Sequence, residues 1–183
     1  MGLTRLVMQE ISEIVGSDGL SVVIMTDEDK KNAVNVVVDH STAVQLNLRM
    51  KHVNETRLML PEVLVSMLNI NKEQGYEMII YDVSEGQYQV TLVCRKTMKL
   101  QRIRMSDAIL LSFVSGVPLY MEDRMLSRQS SPYTSNNEGL SIPINVVDMK
   151  QLKAAFDKAI ADEDYRLAGQ LKKEIDSREL SKF

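Results

Sequence analysis

Apolar residues cluster in short runs broken by Gly, Asp and Asn at roughly 5–15, 20–26 and 33–38, a pattern that predicts three strands. The period then changes. STAVQLNLRMK, starting just after Asp39 and His40, carries apolar positions at helical spacing, and LPEVLVSMLN at 60–69 predicts a second helix with Pro61 tolerated in its first turn. The same order returns further on, with strand-like runs at 76–83, 87–94 and 99–104, the last leading into RIRMSDAILLSFVSGVPLYMED at 102–123. That segment passes from strand to apolar helix, and after the short VPLYM run another helix begins near Glu122. DVSEGQY sets Ser84, Glu85 and Gly86 between two alternating runs, a hairpin signal. The fold class implied is α+β: duplicated three-strand, two-helix units forming one mixed β-sheet domain, followed by a C-terminal helical hairpin. The halves share little residue identity, so the repeat rests on element order.

From about Ser127 to Asn145 the texture turns to RQSSPYTSNNEGLSIPIN, a linker by composition. Beyond it Met149, Leu152, Phe156, Ala159 and Ile160, then Tyr165, Ala168, Leu171 and Ile175, fall at three-to-four spacing, and Asp162 or Asp164 in the ADED turn caps the second helix. The expected division is a main domain at 1–130, a linker at 131–146 and a helical hairpin at 147–183. A hairpin of about 35 residues exposes its apolar stripe unless it docks on something.

Composition narrows the class. The 183 residues are 44% hydrophobic and 26% charged, with no uncharged apolar tract of the roughly 18 residues a membrane helix needs, so no membrane protein is expected. Gln9, Glu10 and Glu13 interrupt any secretory signal, and Leu6 stands where a myristoylation motif wants Ser or Thr. The single cysteine, Cys94, excludes an internal disulfide and reads as a small buried hydrophobe; a cytoplasmic protein is the expectation. A net charge of −3 does not favour nucleic acid, so such binding must rest on a local patch. RKTMKLQRIR at 95–104 supplies one, with five cations and no acid. The twelve methionines mostly occupy apolar positions and read as core filling.

Two readings of the chemistry stay open. Ser106 as N-cap and Asp107 in the first turn would begin the apolar helix, a purely structural role. Alternatively Asp107 binds a divalent ion with a second carboxylate nearby; Asp39, at the matching junction of the first unit, is the natural partner, with Glu122 and Asp123 as others. His40 and His52 lack metal-ligand spacing. Arg95, Lys96, Lys99, Arg102 and Arg104 either solvate and protect a sheet edge or hold successive phosphates, Arg102 and Arg104 sharing one strand face.

LKAAFDKAIADEDYRLAGQLKKEID resembles a UVR domain, the helical hairpin of the B and C subunits of the bacterial excision nuclease, through Leu152, Ala155, Ala159, Asp164, Tyr165, Ala168, Leu171 and Ile175. That resemblance implies a protein partner or self-association, hence a homo-oligomer, through Leu152, Phe156, Tyr165, Ala168 and Leu171. Residues 1–132 resemble the bifunctional nuclease family, a bacterial and plant domain to which DNase and RNase activity is attributed. IRMSDAILLSFVSGVPLYMED parallels its R-P-S-D-A-I-A-L-A and G-A-P-I-Y-V segments, with Arg104, Ser106, Asp107, Ala108, Ile109, Gly116, Pro118 and Tyr120 in matching places; VVVDHSTAVQLNL matches more loosely, at Ala43 and the apolar positions. The resemblance implies a nuclease on DNA or RNA assisted by Mg or Mn. Asp107, Asp39 and Ser106 would then be catalytic, the two aspartates binding metal, with Arg102, Arg104, Lys99 and Arg95 on phosphate. The chain departs where the family has Thr-His-Asp and this sequence reads LMLPE, and where Arg102 and Met105 replace an Asp and a Pro. The departures favour the alternative, a non-catalytic interaction module.

Overall fold

The computed structural model describes residues 2–13, 20–84, 86–133 and 144–180. They form two compact units, one of residues 1–82 and 88–141 and the other of 83–87 and 142–183.

In the first unit β1 (Leu3–Glu13), β2 (Leu20–Asp27) and β3 (Asn32–Asp39) make an antiparallel meander. Val22, Val23, Ile24 and Met25 of β2 are all buried, so this strand reads as a continuous apolar run with no alternation. Its turn into β3 is fixed by the Asp27 carboxylate, which accepts from the Lys31 backbone N–H at 2.7 Å and the Asn32 side-chain amide at 2.6 Å. Then come α1 (His40–Met50), a 3-10 turn at Asn54–Leu58 and α2 (Leu60–Leu68), with Pro61 in its first turn. The second meander is β4 (Tyr76–Ser84), β5 (Gln87–Cys94) and β6 (Lys99–Arg104), followed by α3 (Met105–Ser115). Gly116, at φ +69°, ends α3 in the left-handed conformation that glycine adopts without strain. β7 (Leu119–Glu122), α4 (Asp123–Gln129) and the two-residue β8 (Ser131–Pro132) complete it.

All eight strands share one sheet, in the order β6-β5-β4-β7-β1-β2-β3-β8. The α+β class and the recurrence of three strands followed by helices are as the pattern predicts. The joint between the copies is β7, parallel to β4 and antiparallel to β1, which makes the sheet mixed. Its Leu119 and Met121 are wholly buried, beside Met78 and Ile80 of β4 and Leu6 of β1.

Three expectations need correction. Ser131 and Pro132, linker-like in composition, pair with Asn32 and Ala33 of β3, because an open strand edge supplies backbone partners that composition does not reveal. β1 is displaced toward the N-terminus of the expected 5–15, and residues 14–15 lie outside the described ones. Ser106 is not the N-cap of α3: the helix begins at Met105, with Arg104 in the extended capping conformation and no side-chain cap. The linker segment 134–143 also lies outside the described residues.

In the second unit α5 (Met149–Ala161) and α6 (Tyr165–Leu180) form the helical hairpin, α5 capped by Asp148 and α6 by Asp164, whose carboxylate accepts from Leu167 N–H at 3.0 Å. Leu152, Ala159, Ala168, Leu171 and Ile175 make its core, with Ile144, Val147, Met149 and Phe156 packed against it. The apolar stripe is therefore closed within the unit. Arg178 reinforces it by donating to the Val147 carbonyl at 2.7 Å. A side chain at Gly86 would press within 2.7 Å of that same carbonyl, so the position admits only glycine without a shift. Among the described residues no helix is long and apolar enough to cross a membrane.

Leu119→Ala should lower the unfolding free energy by about 3 kcal/mol, since it empties a fully buried site at the joint between the meanders. Urea denaturation measures it, and an unchanged midpoint would contradict the assigned role of β7.

Candidate functional site

Each meander ends where a helix begins, and the candidate residues stand at these two junctions. At the first, Asp39 is the N-cap of α1: its Oδ1 accepts from the Ser41 hydroxyl at 2.6 Å and from Thr42 N–H at 2.7 Å. At the second, Arg104 forks onto Asp107 in the first turn of α3, Nε donating to Oδ2 at 2.7 Å and Nη2 to Oδ1 at 3.0 Å. α1 and α3 pack against one another, and the charges of the two junctions reach each other. Ser41 and Thr42 hold the Asp39 carboxyl below its usual range, and the Arg104 charge adds to that effect. The Asp107 carboxylate, and less strongly that of Asp39, holds the Arg104 guanidinium more firmly protonated than usual. Arg104 thus binds Asp107 directly and reaches Asp39 only through its charge, with Ser106 half-buried beside Asp107.

The remaining cations line the sheet edge. β6 is the first strand of the sheet, and its register puts Arg102 and Arg104 on one face, opposite Thr91 and Gln89. Arg102 donates to the Gln89 side chain, Arg95 pairs with Glu77 at 2.6 Å and Lys96 donates to Gln74 at 2.9 Å. Lys99, directly across from Cys94, is exposed, and Cys94 itself is buried. The contacts of Lys96, Arg102 and Arg104 are exposed and can be exchanged for phosphate at little energetic penalty, whereas Arg95 holds a Glu77 side chain that is only 13% exposed. Glu122 and Asp123 fall elsewhere, at the β7–α4 junction, where Asp123 accepts from the Thr4 hydroxyl at 2.9 Å. His40 is the exposed first residue of α1, and His52 lies beyond the helix end in a left-handed conformation.

Do these residues fit a resident Mg or Mn? A hard divalent ion takes several oxygen ligands. Among the described residues no group of three or more His, Cys, Asp or Glu side chains could hold a metal, and both carboxylates at the junctions already have partners. A protein-built metal centre does not fit.

Sequence reasoning missed a buried ion pair. Arg49 follows Ala43 and Leu46 on the inward face of α1, and its guanidinium holds both oxygens of Glu62 at 2.7 Å while also donating to Gln45. Its side chain is only 3% exposed. The signal was available, since a cation in the apolar stripe of a helix calls for a buried anion. The LMLPE segment therefore does end in an acid, Glu62, but Arg49 occupies it. Of the residues assigned to partner binding, Leu152, Ala168 and Leu171 are core of the helical hairpin and present no surface; Tyr165 is exposed, and Phe156 is partly buried under Lys172.

Residues 23–134 match the bifunctional nuclease domain. The chain belongs to that family. The match contains both junctions and the whole basic edge of the bifunctional nuclease domain, and it leaves out the helical hairpin. None of the curated proteins matches the chain.

Asp39→Ala should cost about 1 kcal/mol at neutral pH, and Asp39→Asn much less, because Asn retains a capping oxygen. Since folding lowers the Asp39 pKa, its contribution is present above the ordinary carboxylate value of about 3.9 and is lost as the pH falls through the lower folded value. Urea titrations at several pH values measure this, and an equally pH-dependent loss in Asp39→Asn would contradict it.

Proposed function

We propose that this bifunctional nuclease domain engages the phosphodiester backbone of DNA or RNA at the paired junctions and hydrolyses it there. The observation that carries the reading is the family match across 23–134, which spans every residue concerned. α3 supports it by starting without a side-chain cap beside Arg104, so the positive end of its dipole and a guanidinium lie together. Arg102 and Arg104 are the first contacts to phosphate, with Lys99 and Arg95 further along the edge. When phosphate draws Arg104 away, Asp107 loses both hydrogen bonds from that guanidinium and is free to take a proton from an attacking water. The exposed Arg104–Asp107 pair contributes only about 0–1 kcal/mol, so this exchange is inexpensive. Ser106 lies within reach of the same phosphate, and Asp39 keeps Arg104 oriented. Binding of this kind reads backbone and not base, so it is weakly selective and salt-sensitive.

A second reading is favoured by the engagement of both carboxylates and the lack of a three-ligand group among the described residues. In it the domain is a non-catalytic module. The hairpin, similar to a UVR domain, binds a protein partner at its turn, where Ile160, Tyr165 and Leu167 are exposed.

Cleavage of labelled single- and double-stranded DNA and RNA, with Mg, Mn or EDTA, separates the two. The nuclease reading expects cleavage that disappears in Asp107→Asn without loss of fold; Arg102→Ala should weaken binding and reduce its salt dependence by about one phosphate contact. Cleavage that survives in Asp107→Asn contradicts the assignment, and no cleavage in any arm leaves the module reading.

A further inference from the structure

α2 is folded with its apolar side outward. None of its residues is buried, and the side it turns toward the domain carries Pro61, Glu62 and Val65. At about 100° per residue, Leu60, Val63, Leu64, Met67 and Leu68 fall within one arc on the opposite side, and Leu58 precedes them in the 3-10 turn. Leu58, Leu60 and Met67 are 85%, 68% and 77% exposed, and Leu64 and Leu68 are exposed as well. Together with Val63 these residues expose roughly 700 Å², above the roughly 300–600 Å² of the largest apolar patch on an ordinary monomer. The value approaches the ~800 Å² that each partner brings to a standard protein interface.

We propose that this face of α2 pairs with α2 of a second copy of the chain, forming a two-fold dimer. Leu60, Leu64 and Met67 stand at i, i+4 and i+7, the seam along which one helix interdigitates with another. The arc has no charge to select a charged partner. The one charged residue of α2, Glu62, is turned away from it and held by Arg49, so no ion is stranded when the face is covered. A surface that is apolar and uncharged throughout is complementary to itself, which is what an isologous interface requires. The occupied area is that of a small interface, so the dimer dissociates on dilution.

Sedimentation velocity of the full chain over a wide concentration range tests this, beside the double variant Leu64→Glu, Met67→Glu. Both side chains are exposed, so the variant should keep the wild-type circular dichroism spectrum and urea midpoint while sedimenting as a monomer throughout. Met67→Cys gives an independent readout: a short bismaleimide should join two copies, and wild type, whose one cysteine is buried, should not react in this way. A wild type that stays monomeric overturns the proposal, as does a dimer that persists in the double variant, which would place the contact elsewhere, for example in the helical hairpin. Monomers that float with lipid vesicles through α2 would also overturn it.

Discussion

The structure of the first unit depends on β7. Its four residues pair antiparallel with β1 and three of them also pair parallel with β4, and through them two separate meanders become one sheet. A three-stranded meander is near the smallest sheet that stands alone, and joining two of them through β7 pairs an otherwise open edge of each. Leu119 and Met121 secure that joint by filling the space between Met78, Ile80 and Leu6. Because each meander delivers its helix at the end of its third strand, the same joint brings the starts of α1 and α3 within electrostatic reach.

That meeting creates a competition around one guanidinium. Arg104 is shared unequally: its hydrogen bonds go to Asp107, and Asp39 feels only its field. Asp39 is committed instead to capping α1. The two carboxylates therefore do different work. One stabilises the fold locally, and the other is held in an exposed pair that a phosphate can open. The same arrangement explains why the junction has affinity for an anion without being a ready-made cage for a metal ion.

Much of this was legible in the chain because local periods survive in the structure. β5 and β6 stand where alternation put them, and α2 begins at the residue before Pro61, as its position in a first turn demands. The direction of burial was not legible. LPEVLVSMLN reads as a helix and no more, and its apolar arc faces outward, since periodicity identifies a stripe but not what covers it. Conversely, Leu152, Ala168 and Leu171 suggested a binding stripe and turned out to be the hairpin's own core, packed against Ile144 from a segment that looked like linker. Ser106 illustrates a smaller limit: a good capping residue stands two positions inside the helix, because β6 runs only as far as Arg104 and that residue takes the cap. Arg49 and Glu62 lie 13 residues apart, and only the folded chain brings them together.

The central claim is that the two junctions form one electrostatic unit around Arg104. Titration of the Asp39 carboxyl carbon by NMR, in the wild type and in Arg104→Ala, tests it most directly. If the junctions converge, removing the guanidinium raises the Asp39 pKa while Ser41 and Thr42 continue to hold it below the ordinary carboxylate value. An Asp39 titration that is the same in both proteins would mean that the junctions act separately, and the account would fail.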